Sequence, residues 1–413
     1  MLDHYLRRRL LGAVLTANAL RPVPGAWTGI PAMFAGWLTA ELAPHLLALT
    51  VADTAGELVR HRETPQRRRA GLALATGTAV GLGTIIKQSQ DARERIEDAL
   101  CDTLGKDYTE ALDPKPTDTD LGTPWRQLLW PFRMRTDEVE RTHDISYGPA
   151  GPRNLLDVYR HCDHPRGAPV LLQIHGGAWP LGDKDTQGIP LMQHMAARGF
   201  VCVAMNYRLS PRSKFPDHLV DVKRALAWVR EHADEIGADP SFVAVTGGSA
   251  GGHLAAMMAL TQNDPEYQPG FEDADTSVQA AVPIYGVYDF AAHSGTRAAV
   301  QRRDRFLNRY VMQADASTAA EEYAKATPLL RIEPDAPPFL VVHGTHDTLV
   351  PVVEAREFIQ RLREISKQPV AYAELPGTQH AFDVFPSIRS SHMVRGVERF
   401  LKWCLAEHRA GRL

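Results

Sequence analysis

The chain has 413 residues, 44% of them hydrophobic and 23% charged, with a formal net charge of -3 at pH 7. That length allows two or three domains, and so small a charge argues against broad polyanion binding, nucleic acid included. Cys101, Cys162, Cys202 and Cys404 show no C-x-x-C or Cys/His spacing, which argues against a structural zinc or disulfide framework.

Residues 1–135 read as a helical, apolar extension. Arg7, Arg8 and Arg9 precede a turn signal at Pro22-Val23-Pro24-Gly25. Two stretches rich in Ala, Gly and Leu follow: Ala26–Ala52, with Trp27, Phe34 and Trp37, and the uncharged Ala70–Ile86. A basic block containing Arg60, Arg62, Arg67, Arg68 and Arg69 separates them. Gly77 and Gly81 have the small-x-x-x-small spacing that lets helices approach closely. Three readings stay open: a membrane-spanning hairpin, an interfacial segment with basic residues toward anionic lipid, and a helical cap packed on the rest of the chain. Against the hairpin, it would put Arg7–Arg9 and the Arg60–Arg69 block on opposite sides. The run from Asp113 to Asp120 is a linker or long loop, and Trp125, Leu128, Trp130 and Phe132 beyond it pack the connector onto the body.

From residue 136 to 413, strand-like and helix-like segments alternate. Ile145–Tyr147 and Leu155–Tyr159 suggest an opening antiparallel pair. Strands are then expected at Pro169–Ile174, Phe200–Asn206, Phe242–Thr246, Val278–Ile284, Pro338–His343 and Val370–Leu375. Helical patterns cover Gln187–Arg198, Asp217–Glu235, Gly251–Gln262, Val352–Ile365 and Ser391–Ala406. Such alternation implies an α/β fold with a mostly parallel sheet covered on both faces. A charged helical stretch within about 286–335 interrupts it as a candidate cap insert.

The strand-like run Phe242–Thr246 leads into Gly247-Gly248-Ser249-Ala250-Gly251 and then a helix. A G-x-S-x-G between strand and helix is the nucleophile-elbow pattern. Serine needs a base, an orienting acid and oxyanion donors to act as a nucleophile. Asp347 and His380 each fall in a loop just after a later strand, in the order Ser…Asp…His that this type of sheet requires. His343, His346 and Asp383 are weaker candidates; Asp383 reads as a local helix start. The N–H groups of Gly176, Gly177 and Ala250 are the candidate oxyanion hole, since Gly-Gly after a strand turns backbone donors outward without Cβ hindrance. His175 is read as holding this loop, and Trp179 as lining the acyl pocket or packing beneath it. Arg208, Asp183 and Lys184 are read as structural, the last two in a surface loop. No metal or organic cofactor is called for. Gly81-Leu82-Gly83 lacks the third glycine and the preceding strand of a dinucleotide site.

The run His175-Gly176-Gly177-Ala178-Trp179, together with Asn206–Pro211, Phe215-Pro216, Gly247–Gly252, His343-Gly344-x-x-Asp347 and His380-Ala381-Phe382, resembles the α/β-hydrolase superfamily. The resemblance is to its hormone-sensitive-lipase-like and neighbouring carboxylesterase groups, over residues of about 140 to 410. It implies acyl-ester hydrolysis through a covalent acyl-enzyme, with a small acyl ester or lipid as substrate. Two positions depart from the lipase pattern: Gly248 stands where an acidic residue usually precedes the nucleophile, and Ala178-Trp179 where a third glycine usually follows. His-Gly-Gly-Ala-Trp is more similar to prenylcysteine methylesterases and arylformamidases, so amide hydrolysis is the alternative chemistry and a non-catalytic hydrolase-fold binding protein the alternative class. The apolar extension resembles that of actinobacterial cell-envelope esterases, implying membrane contact through residues 1–90 and a membrane or envelope location over a cytoplasmic one.

Overall fold

The structure is a computed structural model that describes residues 4–23, 29–60 and 64–413; Pro24, Gly25, Trp27 and Arg62 lie outside them. Four helices open the chain: α1 (His4–Leu20), α2 (Gly29–Glu41), α3 (Ala43–Arg60) and α4 (Pro65–Leu104). Pro65 starts α4 at a position where its missing N–H costs nothing. Eight strands follow: β1 (Val139–Ser146), β2 (Leu155–His161), β3 (Ala168–Ile174), β4 (Val201–Met205), β5 (Ala238–Gly248), β6 (Ala280–Ile284), β7 (Phe339–Gly344) and β8 (Val370–Leu375). They form one sheet in the order β1-β2-β4-β3-β5-β6-β7-β8. The β1–β2 and β2–β4 pairs are antiparallel and every later pair is parallel.

The parallel strands are continuous apolar runs because both faces are covered. Every residue of β3, β4, β6 and β7 is buried. Five longer helices cover them: α5 (Ile189–Ala197), α6 (Asp217–Glu231), α7 (Ala250–Leu260), α8 (Val352–Ile365) and α9 (Ile388–Arg409). The helix expected over Asp217–Glu235 breaks at His232, and the Asp183-Lys184 segment is no plain surface loop. Lys184 is 4% exposed, with Nζ 2.8 Å from Asp144 and 3.0 Å from Asp157. A buried ammonium is stable only with such counter-charges, and sequence distance hides them. Arg208 is structural as expected, its guanidinium bonded to both carboxylate oxygens of Asp221.

Helix α4 joins the two parts of the molecule. Its second half buries Ala92, Ile96 and Leu100 in the same cluster as Val397, Phe400 and Leu401 of α9 and Ala371 of β8. Its first half leaves the sheet and packs with α1 and α3. There Tyr5 meets Gly71, Gly12 meets Thr78 and Thr16 meets Gly81, so α1 and α4 run in the same direction. Arg9 bonds the Thr50 carbonyl and Tyr5 reaches Thr54, so α3 runs opposite to both. This corrects the expectation for the arginines. Helix α1 precedes the hairpin as a third rod, so Arg7–Arg9, Arg60 and Arg67–Arg69 all lie at one end of the bundle.

Candidate active site

The turn after β5 is held by contacts only glycine allows. A Cβ on Gly251 would stand 2.1 Å from the Ile174 carbonyl, and one on Gly247 would stand 2.6 Å from it. Ser249 adopts φ 59° and ψ -120°, a sparsely populated conformation for a side-chain-bearing residue, maintained only where its surroundings fix it. Its N–H bonds the Ile284 carbonyl at 3.0 Å, tying the elbow to β6, and its own position caps α7. Ser249 therefore stands at the C-terminal edge of the sheet, at the mouth of a helix.

Asp347 and His380 come together at the same edge. His380 Nδ1 lies 2.6 Å from Asp347 Oδ2, which leaves Nε2 as the ring nitrogen open to a proton from substrate or serine. The other oxygen of Asp347 accepts from the backbone N–H of Leu349 (2.9 Å) and Val350 (2.8 Å), and His343 Nε2 lies 3.4 Å from Oδ2. Burial alone would raise the Asp347 carboxyl; the charge of His380 and hydrogen bonds from His343 and His380 overcome it and hold the group well below the usual carboxylate range. Asp347 is thus a buried anion with both oxygens partnered. His343 is fully buried and bonds the Val350 carbonyl, and His346 contacts the Ala19 carbonyl, so neither competes with His380 for Asp347 Oδ2 at short range.

The Gly-Gly loop narrows the expected oxyanion donors. Gly176 N–H is engaged by Gln187 Oε1 at 2.6 Å, which removes it from that set as the structure stands. A Cβ at Gly176 would also meet the Gly248 carbonyl at 2.7 Å, so its glycine serves close approach to the elbow. Among the described residues, the N–H groups of Gly177 and Ala250 have no hydrogen-bond partner. Gly177, Ala178 and Trp179 all have positive φ (116°, 53° and 72°), a run that turns the loop back. His175 holds it from below: its Nδ1 bonds the Gly176 carbonyl at 2.7 Å and its ring stacks on Tyr207 at 4.2 Å. Burial pushes its imidazole down to about 4. The Trp179 ring is 2% exposed and sits edge-on to His253 and Phe290.

Asp383, read from the sequence as a weaker candidate and a local helix start, is instead a neighbour of the site. It lies in a turn, not at a helix start; α9 begins at Ile388, capped by Ser387. Its carboxylate accepts the Tyr285 hydroxyl, and the Tyr285 ring lies 4.6 Å from that of His380. A Cβ at Gly248 would stand 2.5 Å from the same hydroxyl. The space beside Gly248 is therefore filled by Tyr285, and an acid reaches that hydroxyl from the His380 loop.

The N-terminal helices buttress both loops. Glu41 bonds Arg389 (3.0 Å) and the Ser387 hydroxyl (2.6 Å) in a fully buried cluster. Gly36 faces Gln379, and Gln88 faces Gly377. Trp37 packs on Phe385 at 5.6 Å.

Comparison with known proteins gives the family. The BD-FAE family model matches residues 156–362. The chain is 44% identical over 408 residues to the probable carboxylic ester hydrolase LipM of Mycobacterium tuberculosis, covering 97% of this chain and 93% of that one. It is 46% identical over 350 residues to esterase LipQ of the same organism, covering 82% of each. The native structure of the Thermogutta terrifontis esterase Est2 superposes with a TM-score of 0.53 at 25% identity, over 69% of this chain and 96% of that one. The chain belongs to the BD-FAE family of α/β-hydrolases and is a carboxylic ester hydrolase.

Proposed function

We propose that Ser249, His380 and Asp347 form the triad that hydrolyses carboxylic acyl esters in this protein. The observation that carries the reading is the 2.6 Å bond from His380 Nδ1 to Asp347, set at the sheet edge where Ser249 is strained outward. Ser249 Oγ attacks the ester carbonyl while His380 Nε2 takes its proton. The same proton then leaves with the alcohol, and the acyl group stays on Ser249. Water, deprotonated by His380, releases the acid and restores the serine. Asp347 keeps His380 in the tautomer with Nδ1 protonated and stabilises the imidazolium. The N–H groups of Gly177 and Ala250 receive the oxyanion, each worth about 2.7–4 kcal/mol in the transition state.

In this reading residues 136–413 are the catalytic unit and residues 1–135 a helical segment that walls the acyl side of the site. The contacts of Gly36, Glu41 and Gln88 with the His380 loop support it. The substrate is a small acyl ester or lipid, and the N-terminal helices bring the site to a lipid surface. Ser249→Ala is expected to remove nearly all turnover of a short-chain nitrophenyl ester while leaving the thermal midpoint unchanged. Retained turnover refutes the assignment. Matched ester and amide substrates of one acyl group separate ester from amide preference.

A further inference from the structure

The bundle of α1, α3 and the first half of α4 buries an apolar cluster of Ala19, Ala43, Leu82 and Ile85 at the end away from its arginines, but toward the arginines it is built inside out. Its buried positions include Arg9, Thr16, Thr50, Glu57 and Thr78, packed with Gly71 and Gly81. Its outer positions carry Leu11 (60% exposed), Leu49 (64%), Val59 (80%) and Val80 (67%), with Val14 and Val51 beside them. A water-facing bundle shows the reverse, apolar inward and polar outward. Small and polar residues between helices with aliphatic ones outside is the arrangement that suits surroundings as apolar as the side chains themselves. Within this polar interior Arg9 lies 3.0 Å from Asp53 and bonds the Thr50 carbonyl.

Two further observations fix what surrounds it. From Pro65 to Ile85, α4 rises about 30 Å at 1.5 Å per residue, and α3 rises about 27 Å on the same basis; a bilayer hydrocarbon core is about 30 Å thick. Arg7–Arg9, Arg60 and Arg67–Arg69 lie at the far end of these rods. At the near end, aromatic rings line up in contact: Phe34 on Trp37, Trp37 on Phe385, and Phe385 on Phe132. Phe34 and Phe132 in this row are exposed, as rings at a headgroup layer are.

We propose that this bundle is embedded in a lipid bilayer. The arginine end lies at one headgroup layer and the aromatic row at the other, with the ester-hydrolase site opening beside the second. The proposal deepens the lipid-surface contact proposed above and rests on it. It removes the charge objection to a spanning hairpin, because Arg7–Arg9 lie at the same end as Arg60 and Arg67–Arg69. It also explains why the loop carrying His380 is tied to α2 and α4: the exposed Phe132 in the leaflet packs on Phe385, five residues from His380 in sequence.

The test is co-translational insertion of the full chain into vesicles of phosphatidylcholine and phosphatidylglycerol, followed by flotation after a wash in concentrated salt and then in alkaline carbonate. The protein is expected to float after both washes. Leu49→Glu with Val80→Glu is expected to lower the floating fraction by at least roughly tenfold, as charges in hydrocarbon do. Hydrolysis of a water-soluble short-chain ester should be unchanged in that variant, because both sites lie outside the contacts with the catalytic loops. Protein that never floats overturns both the surface contact and the embedding. Protein that floats but is stripped by salt or carbonate keeps the contact and overturns the embedding. Wild-type flotation of the double variant also overturns it.

Discussion

Gly248→Ala tests the packing behind the nucleophile. Gly248 does not need a left-handed conformation, so space alone decides the outcome. The new Cβ would lie 2.5 Å from the Tyr285 hydroxyl and 2.8 Å from two of its ring carbons. Ordinary carbon contacts lie near 3.5–4.0 Å, so something must move by about 1 Å. The ring cannot give freely. It is 1% exposed, its hydroxyl is bonded to Asp383, and it packs on Phe382 and His380. Overpacking of this kind costs about 1–3 kcal/mol. A shift of that size passed to Ser249 or His380 costs on the order of 100-fold in rate. The assay pairs thermal unfolding with kcat/KM on a short-chain ester. The variant should melt earlier and turn over far more slowly with KM little changed. Adding Tyr285→Phe removes the nearest contact but not the ring-carbon ones, so recovery should be partial. A Gly248→Ala enzyme with wild-type melting and kcat/KM would refute the reasoning.

Asp347→Asn should lower kcat by about four orders of magnitude, because the amide no longer holds the His380 tautomer; a loss under tenfold in kcat contradicts the role. Asp347 also sets an acid limit. Its folded pKa is depressed, so its stabilisation is complete above the unfolded value of about 3.9 and is lost as pH falls below it toward the folded value. Urea midpoints measured across that range should fall on the acid side in the wild type. Asp383 carries the opposite sign. Burial pushes its carboxyl up against the hydrogen bond from Tyr285, so the folded state holds the proton more tightly and stability declines as pH rises from about 3.9. Asp383→Asn removes that titration, and its thermal midpoint should gain on the wild type as pH rises toward neutrality. A variant that loses ground over the same range contradicts this. Glu41→Ala strands a fully buried Arg389, a change that costs about 3–5 kcal/mol, and should slow turnover because Arg389 and Ser387 anchor the loop after His380. Replacing Glu41 and Arg389 together with Leu and Met should restore most of the melting temperature.

The sheet was legible because its parallel strands are buried on both faces and read as unbroken apolar runs, with the glycine-rich elbow and the Asp347 and His380 loops falling at their ends. What stayed hidden are pairings between residues far apart in the chain. Gln187 on Gly176, Asp383 on Tyr285, Lys184 between Asp144 and Asp157, and Glu41 on Arg389 leave no local periodicity. The direction of α1 was hidden for the same reason: a short apolar helix carries no signal for the side on which it returns. Its contacts along α4 and α3, such as those of Tyr5 with Gly71 and Thr54, place its arginines beside those of α3 and α4.

The covalent step is the central claim, and the direct measurement is peptide mapping after reaction with a nitrophenyl phosphonate that mimics the ester. One adduct is expected, on Ser249, formed in step with loss of esterase activity, slowed by His380→Ala and absent in Ser249→Ala. An adduct on another residue that tracks the loss of activity, or full inactivation of turnover with Ser249 unmodified, would contradict it.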